Sequence, residues 1–595
     1  MRVVTHTHTQ IKEEEPPIMK KVLPVIIALL LIVVVVGAAF GGKILDKYTY
    51  SKEVADLDEF YGVTDAAVGE NDGRLAIILQ NDMLEEQAVV KNGVIYFDLD
   101  TVRAYFNEIF YVDEKEQKLL LTSATNTTTA GFGETVYSDG EGEHPTEYVI
   151  CMKDGEQLLV AAEYVRKFAN FTYEKYDRHL QVYTEWGIIK TYDIAKATQL
   201  RVRGGIKSPI LRELEAGETV ELLEQMDTWS RVKTSDAMIG YVENKRLTNL
   251  NTEVQTAVTD YAPEEYTSIV MEGKVSLGWH GIGGPGGNDT LDSVLKEGKG
   301  INVIAPTWFS LKNSDGELFR SFASAQYVKK AHEKGIKVWG VWDDFNYAAE
   351  SGVTVDSYDI LSATSSRQQM AQNMVDTALE YGLDGINLDF EKLTNDARPH
   401  FNQFLRELSV LCRQSGLVLS IDNYVPLNSS NYYRLDIQGL VADYVIIMGY
   451  DEHWGGCQEA GSVASIDYVS GGLDRTLEQV PAAKVVNALP FYTRLWMTKG
   501  AEVTSEAIPI SNVEECLQKY GKSTDMAEWD EVTCQNYIEW QGSDTLYQMW
   551  IEDTESLGVK VNVMNARNIG GVAVWRLGYG TQSAWELVAA YAGVK

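Results

Sequence analysis

Apolar positions along this chain follow three regimes. They are continuous between 22 and 42, they come in short alternating runs from about 77 to 249, and from 268 onward strand-like runs are separated by helical stripes. Alternation sends successive side chains to opposite faces of a strand, whereas spacings of three and four put them on one face of a helix. In the last regime eight short apolar runs predict strands at 275–279, 303–306, 338–342, 385–390, 418–423, 444–450, 485–489 and 571–576. Met370, Met374, Val375, Ala378 and Leu379 form one helical stripe; Phe401, Phe404, Leu405, Leu408 and Leu411 form another. Gly335, Gly382 and Gly416 each stand where a helix must stop before the next strand, a place that favours glycine. Strands alternating with helices make a parallel sheet. Eight such units make the fold class α/β, a TIM (β/α)8 barrel over 268–595, with its working residues at the C-terminal ends of the strands. The stretch 492–550 is long enough to carry an inserted subdomain.

The earlier regimes read as smaller pieces. Residues 77–190 hold two related units, opening at the turns Asn92-Gly93 and Asp154-Gly155, each with an apolar run, a helical stretch and a closing strand. They predict a small α+β repeat module. Residues 197–249 are β-rich, with turns at Gly204-Gly205, Gly217 and Asp236, and predict an all-β domain. Residues 43–76 read as a stalk and 250–266 as an acidic linker. Residues 22–42 carry no charge; about 20 apolar residues span a bilayer, so this run predicts an N-terminal transmembrane helix. Residues 1–21 would then be a cytoplasmic tail, and the later domains extracytoplasmic on a single-pass cell-membrane protein. A long signal peptide is the alternative, because small residues follow Val36.

The formal net charge of −34 excludes nucleic acid as a partner, since phosphate recognition needs clustered Lys and Arg. Five cysteines form no CxxC pair, and no histidine cluster has ligand spacing, so neither a metal nor another cofactor is expected. An odd cysteine count argues against a full disulfide framework. A Cys516–Cys534 pair stays open.

The chemistry concentrates in 381–392, YGLDGINLDFEK. With a period of two, Ile386, Leu388 and Phe390 face one side and Asn387, Asp389 and Glu391 the other. A core has no use for such a row of acids, because desolvating a charge is costly. Elsewhere the expected strand ends collect Trp279, His280, Trp308, Trp342, Asp343 and Asp344, and then Asn423, Tyr424, Tyr450, Asp451, Trp454, Tyr492 and Trp575. Aromatic rings converging on one barrel face suit a sugar groove.

DGINLDFE resembles the DGxDxDxE signature of glycoside hydrolase family 18, which includes chitinases, endo-N-acetylglucosaminidases and spore-cortex-lytic enzymes. MGYD at 448–451 and GGVAVWRLG at 570–578 are similar to that family's sixth and eighth strand motifs. The family's third-strand SxGG motif is absent, with VWGVWDDF in its place, and Asn387 stands where an Asp is usual. The resemblance implies substrate-assisted retaining hydrolysis, outside the two-carboxylate scheme. Glu391 would be the general acid and base. Asp389 would orient the substrate's 2-acetamido group, and Tyr450 would bond its carbonyl. Trp575 would floor the reacting sugar, with Asn387, Asp451, Trp279, Trp342, Asn423 and Tyr424 as further substrate-binding residues. Asn387 is expected to bond only Asp389 and to shift the pH optimum. The 197–249 unit, with Trp229 and its closing Gly240-Tyr241-Val242, resembles a bacterial SH3-like domain. The 77–190 unit resembles the repeat related to the copper amine oxidase N-terminal domain, here with no copper chemistry implied.

The expected activity is cleavage of β-1,4 bonds in N-acetylglucosamine-containing polysaccharide, peptidoglycan or cortex, by an enzyme held at the membrane through its N-terminal helix. A chitinase, an endo-N-acetylglucosaminidase and a non-catalytic glycan-binding protein are the alternatives. A mechanistic alternative has Asp451 or Asp344 as nucleophile.

Overall fold

A computed structural model describes residues 19–69, 71–259, 261–427 and 433–594. They form two compact units. One combines residues up to Asn107 with Gln157–Tyr261; the other combines Glu108–Glu156 with the residues from Ala262 onward.

In the first unit a helix runs over Met19–Tyr48. Among the described residues no helix is long and apolar enough to cross a membrane. The transmembrane helix expected at 22–42 therefore finds no support here. Residues 1–18 of the expected tail lie outside the described residues. The expected stalk is folded in its second half. Leu57–Tyr61 is a short helix capped by Asp56, and Val63 and Ala67 are buried.

Both expected repeats show strand, helix and hairpin in that order. The first has Val94–Asp98, Leu99–Tyr105, Tyr111–Asp113 and Lys118–Thr122. The second has Gln157–Ala161, Ala162–Val165, Thr172–Lys175 and His179–Tyr183. Their opening strands pair antiparallel, Val160 opposite Phe97. The hairpins part company: the second joins the seven-stranded sheet of the first unit, while the first starts a separate five-stranded sheet within the second unit. A further seven-stranded sheet runs from Ile188–Ile194 to Leu247–Val254 around Leu200, Leu211, Val220, Val232 and Val242. Its last strand takes up residues expected as linker, because alternating backbone groups there complete a ladder with Ile188–Ile194.

The second unit is a closed barrel of eight parallel strands: β1 (Val275–His280), β2 (Val303–Pro306), β3 (Lys337–Asp343), β4 (Gly385–Asp389), β5 (Val418–Tyr424), β6 (Tyr444–Met448), β7 (Val485–Pro490) and β8 (Gly571–Trp575). β8 pairs with both β7 and β1, and β2 with β3, which closes the ring. Each strand lies within two residues of its expected ends. Gly335, Gly382 and Gly416 all take positive φ. Gly385 has a different reason: a Cβ there would meet Trp339 at 2.8 Å and the Val418 carbonyl at 2.7 Å. Its bareness lets Trp339 stack on Tyr444 inside the barrel, 5.4 Å between centroids.

Two helices, α1 (Thr364–Tyr381) and α2 (Arg398–Ser415), flank β4. The sheet that begins at Tyr111 packs on them. Asp113 accepts from the Thr364 amide, and Gln403 donates to Thr122. Beneath lies a buried pair, Arg367 Nε to Glu407 Oε2 at 2.7 Å. After β7 the inserted subdomain is a five-stranded antiparallel sheet from Tyr492–Lys499 to Leu546–Ile551, with the helix Val513–Gln518. Cys516, Cys534 and the other three cysteines are all free thiols.

Candidate active site

Parallel strands in one barrel present alternate residues to its interior. On β4 these are Asn387 and Asp389, and on β5 Ser420, Asp422 and Tyr424. The register sets Val341 beside Asn387 and Asp343 beside Asp389, and Asn387 beside Ser420. Asn387 is fully buried one layer below the strand ends. Its Nδ2 donates to Ser420 Oγ (3.0 Å) and Asp422 Oδ1 (2.8 Å), and its Oδ1 accepts from Trp279 Nε1 (2.9 Å). The expected bond to Asp389 is therefore replaced by three others, because β5 and β1 bring polar groups to that level.

Above this layer opens a cavity of about 690 Å³. Its acids are Asp389, Glu391, Asp422 and Asp451; its aromatic walls include Trp279, Tyr424, Tyr450, Trp454 and Trp575. Trp279 and Trp575 tilt against each other with centroids 5.9 Å apart. Tyr450 meets Tyr492 edge to face at 6.1 Å. The Tyr424 hydroxyl donates to Glu391 Oε2. Tyr492 donates to Asp451 Oδ1 at 2.6 Å. Asp451 sits at a positive φ of 59°, which turns its side chain off the end of β6.

Most of the sequence-predicted residues thus meet in one place, but two do not. Trp342 is buried on the outside of β3, stacked on Phe309 at 4.0 Å. Asn423 is buried on the outside of β5, exchanging hydrogen bonds with Gln438. Both have the wrong parity: on these strands Val341 and Asp343, and Asp422 and Tyr424, are the inward residues. Asp422 escaped the sequence reading, although the pattern Ser420–Asp422–Tyr424 on one face signals it. Of the other strand-end candidates, His280 is buried against Tyr327 and Thr290. The Trp308 indole is buried and donates to Asn288 Oδ1.

Burial dominates the electrostatics. It raises the pKa of Asp389, with the charges of Asp422 and Glu391 adding to the effect. Asp422 is raised by burial against the opposing Asn387 hydrogen bond. Glu391 is raised by burial, partly offset by the Tyr424 hydrogen bond and Lys392. Asp451 is raised by burial. Burial also pushes Asp344 up to about 7. A raised carboxyl beside others is how a site keeps one acid protonated near neutrality. Asp344 faces the backbone instead of the cavity. Its Oδ1 accepts from the amides of Glu391 (2.9 Å) and Lys392 (3.1 Å), so it holds the turn that aims Glu391. Asp343 likewise ties down the next turn, accepting from Ser310 Oγ at 2.6 Å and the Asn346 amide at 2.8 Å. Among the described residues no group of three or more His, Cys, Asp or Glu is arranged to hold a metal ion.

The arrangement offers one protonatable carboxyl in hydrogen-bond contact with a tyrosine, a second carboxyl deeper in the barrel, and aromatic faces around both. Residues 292–580 match the family described as glycosyl hydrolases family 18, and residues 196–248 match the bacterial SH3 domain. The chain is 23% identical over 313 residues to "Uncharacterized glycosylase YvbX" of Bacillus subtilis, covering 51% of this chain and 88% of that one. It is 28% identical over 238 residues to "Cortical fragment-lytic enzyme" of Bacillus anthracis, covering 38% of this chain and 54% of that one. It thus spans about half of the latter relative's length. The crystal structure of a chitinase from Chromobacterium violaceum superposes with a TM-score of 0.48 at 22% identity, over 54% of this chain and all of that one.

Proposed function

We propose that this protein, whose residues 292–580 match the family described as glycosyl hydrolases family 18, hydrolyses β-1,4 linkages of N-acetylglucosamine in peptidoglycan, cortex fragments included. The observation that carries the proposal is the convergence of Glu391, Asp389 and Tyr450 on one cavity floored by Trp575. Glu391, its carboxyl raised by burial, protonates the glycosidic oxygen. The substrate's own acetamido oxygen then attacks the anomeric carbon, so no protein nucleophile is consumed. Asp389 holds the acetamido N–H and balances the positive oxazolinium; Tyr450 donates to its oxygen. Glu391 next takes a proton from the incoming water, which opens the ring with retention. The occupation of Asp344 by two backbone amides favours this route over one with Asp344 as nucleophile.

The printed name of the Bacillus anthracis relative and the SH3 domain at 196–248 favour cell-envelope glycan over chitin, and with it a place outside the cytoplasm. Fractionation of cells producing the full chain, with and without residues 22–42, tests that location and any tether.

The activity is tested by digesting purified peptidoglycan with the full chain and its Glu391→Gln variant, with mass spectrometry of the soluble products. Reducing-end N-acetylglucosamine released by the wild type alone is expected. Release by both proteins would remove Glu391 from its role. Release by neither, with chitin oligosaccharides also intact, would leave a glycan-binding protein.

A further inference from the structure

Asp422 has no part in the mechanism above, yet it stands beside Asp389. Leu388 on β4 pairs with Ile421 on β5, so the next rung sets Asp389 opposite Asp422. Both side chains are inward, on neighbouring strands about 4.8 Å apart. Both line the same cavity. Asp422 Oδ1 is fixed by Asn387 Nδ2 at 2.8 Å. That leaves Oδ2, a buried oxygen with no hydrogen-bond partner; Asp389 Oδ1 is in the same state. Buried polar atoms are almost always satisfied. Two acceptors that lack donors on adjacent inward positions are satisfied together by a single proton shared between them.

We propose that Asp389 and Asp422 hold one proton between Asp389 Oδ1 and Asp422 Oδ2, and that Asp422 is the positioning residue that governs the charge of Asp389. The inference rests on the glycosidase reading for its kinetic consequence, though not for its geometry. The pair carries one negative charge throughout. When positive charge grows on the substrate, the proton moves from Asp389 to Asp422, leaving Asp389 anionic where the charge is needed. It returns when the oxazolinium is opened. No other bond changes. Asn387 is what makes this division possible: an amide cannot take the proton, but its N–H fixes Oδ1 of Asp422 and leaves Oδ2 free. The titratable and charged groups around the pair are Asp343 at the end of β3, Asp344 behind it acting through its charge alone, Glu391 and Lys392 beyond β4, Tyr424 from β5, Tyr433 beyond it, and Tyr450 and Asp451 beyond β6. Burial raises both carboxyls, with the charge of Asp422 adding at Asp389 and that of Glu391 adding at each, as shared protonation requires.

The test uses the full chain as wild type, Asp422→Asn, and the exchange variant Asn387→Asp/Asp422→Asn, which moves the acid to the adjacent inward position. On a soluble chromogenic N-acetylglucosamine oligosaccharide, Asp422→Asn should lower kcat about a hundredfold with KM little changed. The acidic limb of its pH–rate profile should move to higher pH, because Asp389 loses the shared proton that stabilises the singly charged pair against taking up a second one. The exchange variant should recover most of kcat and return the limb. An unmoved limb in Asp422→Asn, or no recovery in an exchange variant that melts with the wild type, would overturn the proposal. An activity-independent reading is the infrared difference spectrum, wild type minus Asp422→Asn at neutral pH, in which the bands of Glu391 and Asp344 cancel and one protonated-carboxyl stretch should remain. Its absence from the difference spectrum would also overturn the proposal. If no variant cleaves any glycan, the glycosidase reading fails and the infrared band alone decides the pair.

Discussion

Replacing Asp344 with Asn should change the pH dependence of stability in a direction fixed by one carboxyl. Asp344 is buried, and burial raises its pKa from 3.8 to about 7 in spite of the amide hydrogen bonds of Glu391 and Lys392. An acid whose folded pKa lies above its unfolded value binds more protons folded than unfolded. It stabilises the fold fully below the lower value, and that contribution is lost as pH rises through the upper one. At 1.36 kcal/mol per unit the whole span amounts to about 4 kcal/mol, of which about 2.5 kcal/mol falls between about pH 5 and pH 8. Asn cannot ionise. It resembles the protonated acid and loses one acceptor oxygen, a cost of about 1 kcal/mol. The variant should therefore be slightly less stable than wild type at about pH 4 and the more stable of the two at about pH 8. Urea unfolding of both full-length proteins at the two pH values, followed by tryptophan fluorescence, measures this crossing. A stability difference identical at both values would refute the reasoning. Activity should fall at every pH, since the turn that aims Glu391 loses an anchor.

The barrel was legible because its code is local. Each strand is a short apolar run, and the helices before β3, β4 and β5 end at Gly335, Gly382 and Gly416, all of positive φ. The acids of β4 announced themselves by alternating with Ile386, Leu388 and Phe390, all buried on the outer face. The same rule, applied to β3 and β5, would have rejected Trp342 and Asn423 and selected Asp422. Residue type had been weighed there before parity. Partners were not legible. Nothing local says that Asn387 bonds Ser420, Asp422 and Trp279 in place of Asp389, because those residues come from other strands. Nor does anything local say that the strands closing the first repeat settle against α1 and α2, where Tyr111, Asp113 and Thr122 find His400, Thr364 and Gln403. Long-range pairing decides both.

Three other outcomes are expected. Arg367→Met should destabilise the barrel unit by about 3–5 kcal/mol by leaving the buried Glu407 without its charge partner. Adding Glu407→Leu should recover most of this in thermal melts, and a double variant no better than the single would argue against the pair. Trp454 lines the cavity yet is 57% exposed, so Trp454→Ala should raise KM for glycan about fivefold, about 1 kcal/mol of lost stacking, with kcat retained; an unchanged KM would take it out of the groove. His280 supplies the opposite slope to Asp344. Burial lowers its pKa from 6.5 to about 4, so the unfolded chain binds the proton first. Its contribution is present above the unfolded value and lost as pH falls through the folded one. A difference curve between wild type and His280→Gln should thus lose wild-type advantage from about pH 7 down to about pH 4, and a flat curve would mean that the imidazole titrates alike in the folded and unfolded chain. With Asp344 weakening the fold as pH rises and His280 weakening it as pH falls, the two slopes cross between 4 and 7. Removing either group should move the stability maximum toward the side that group had penalised.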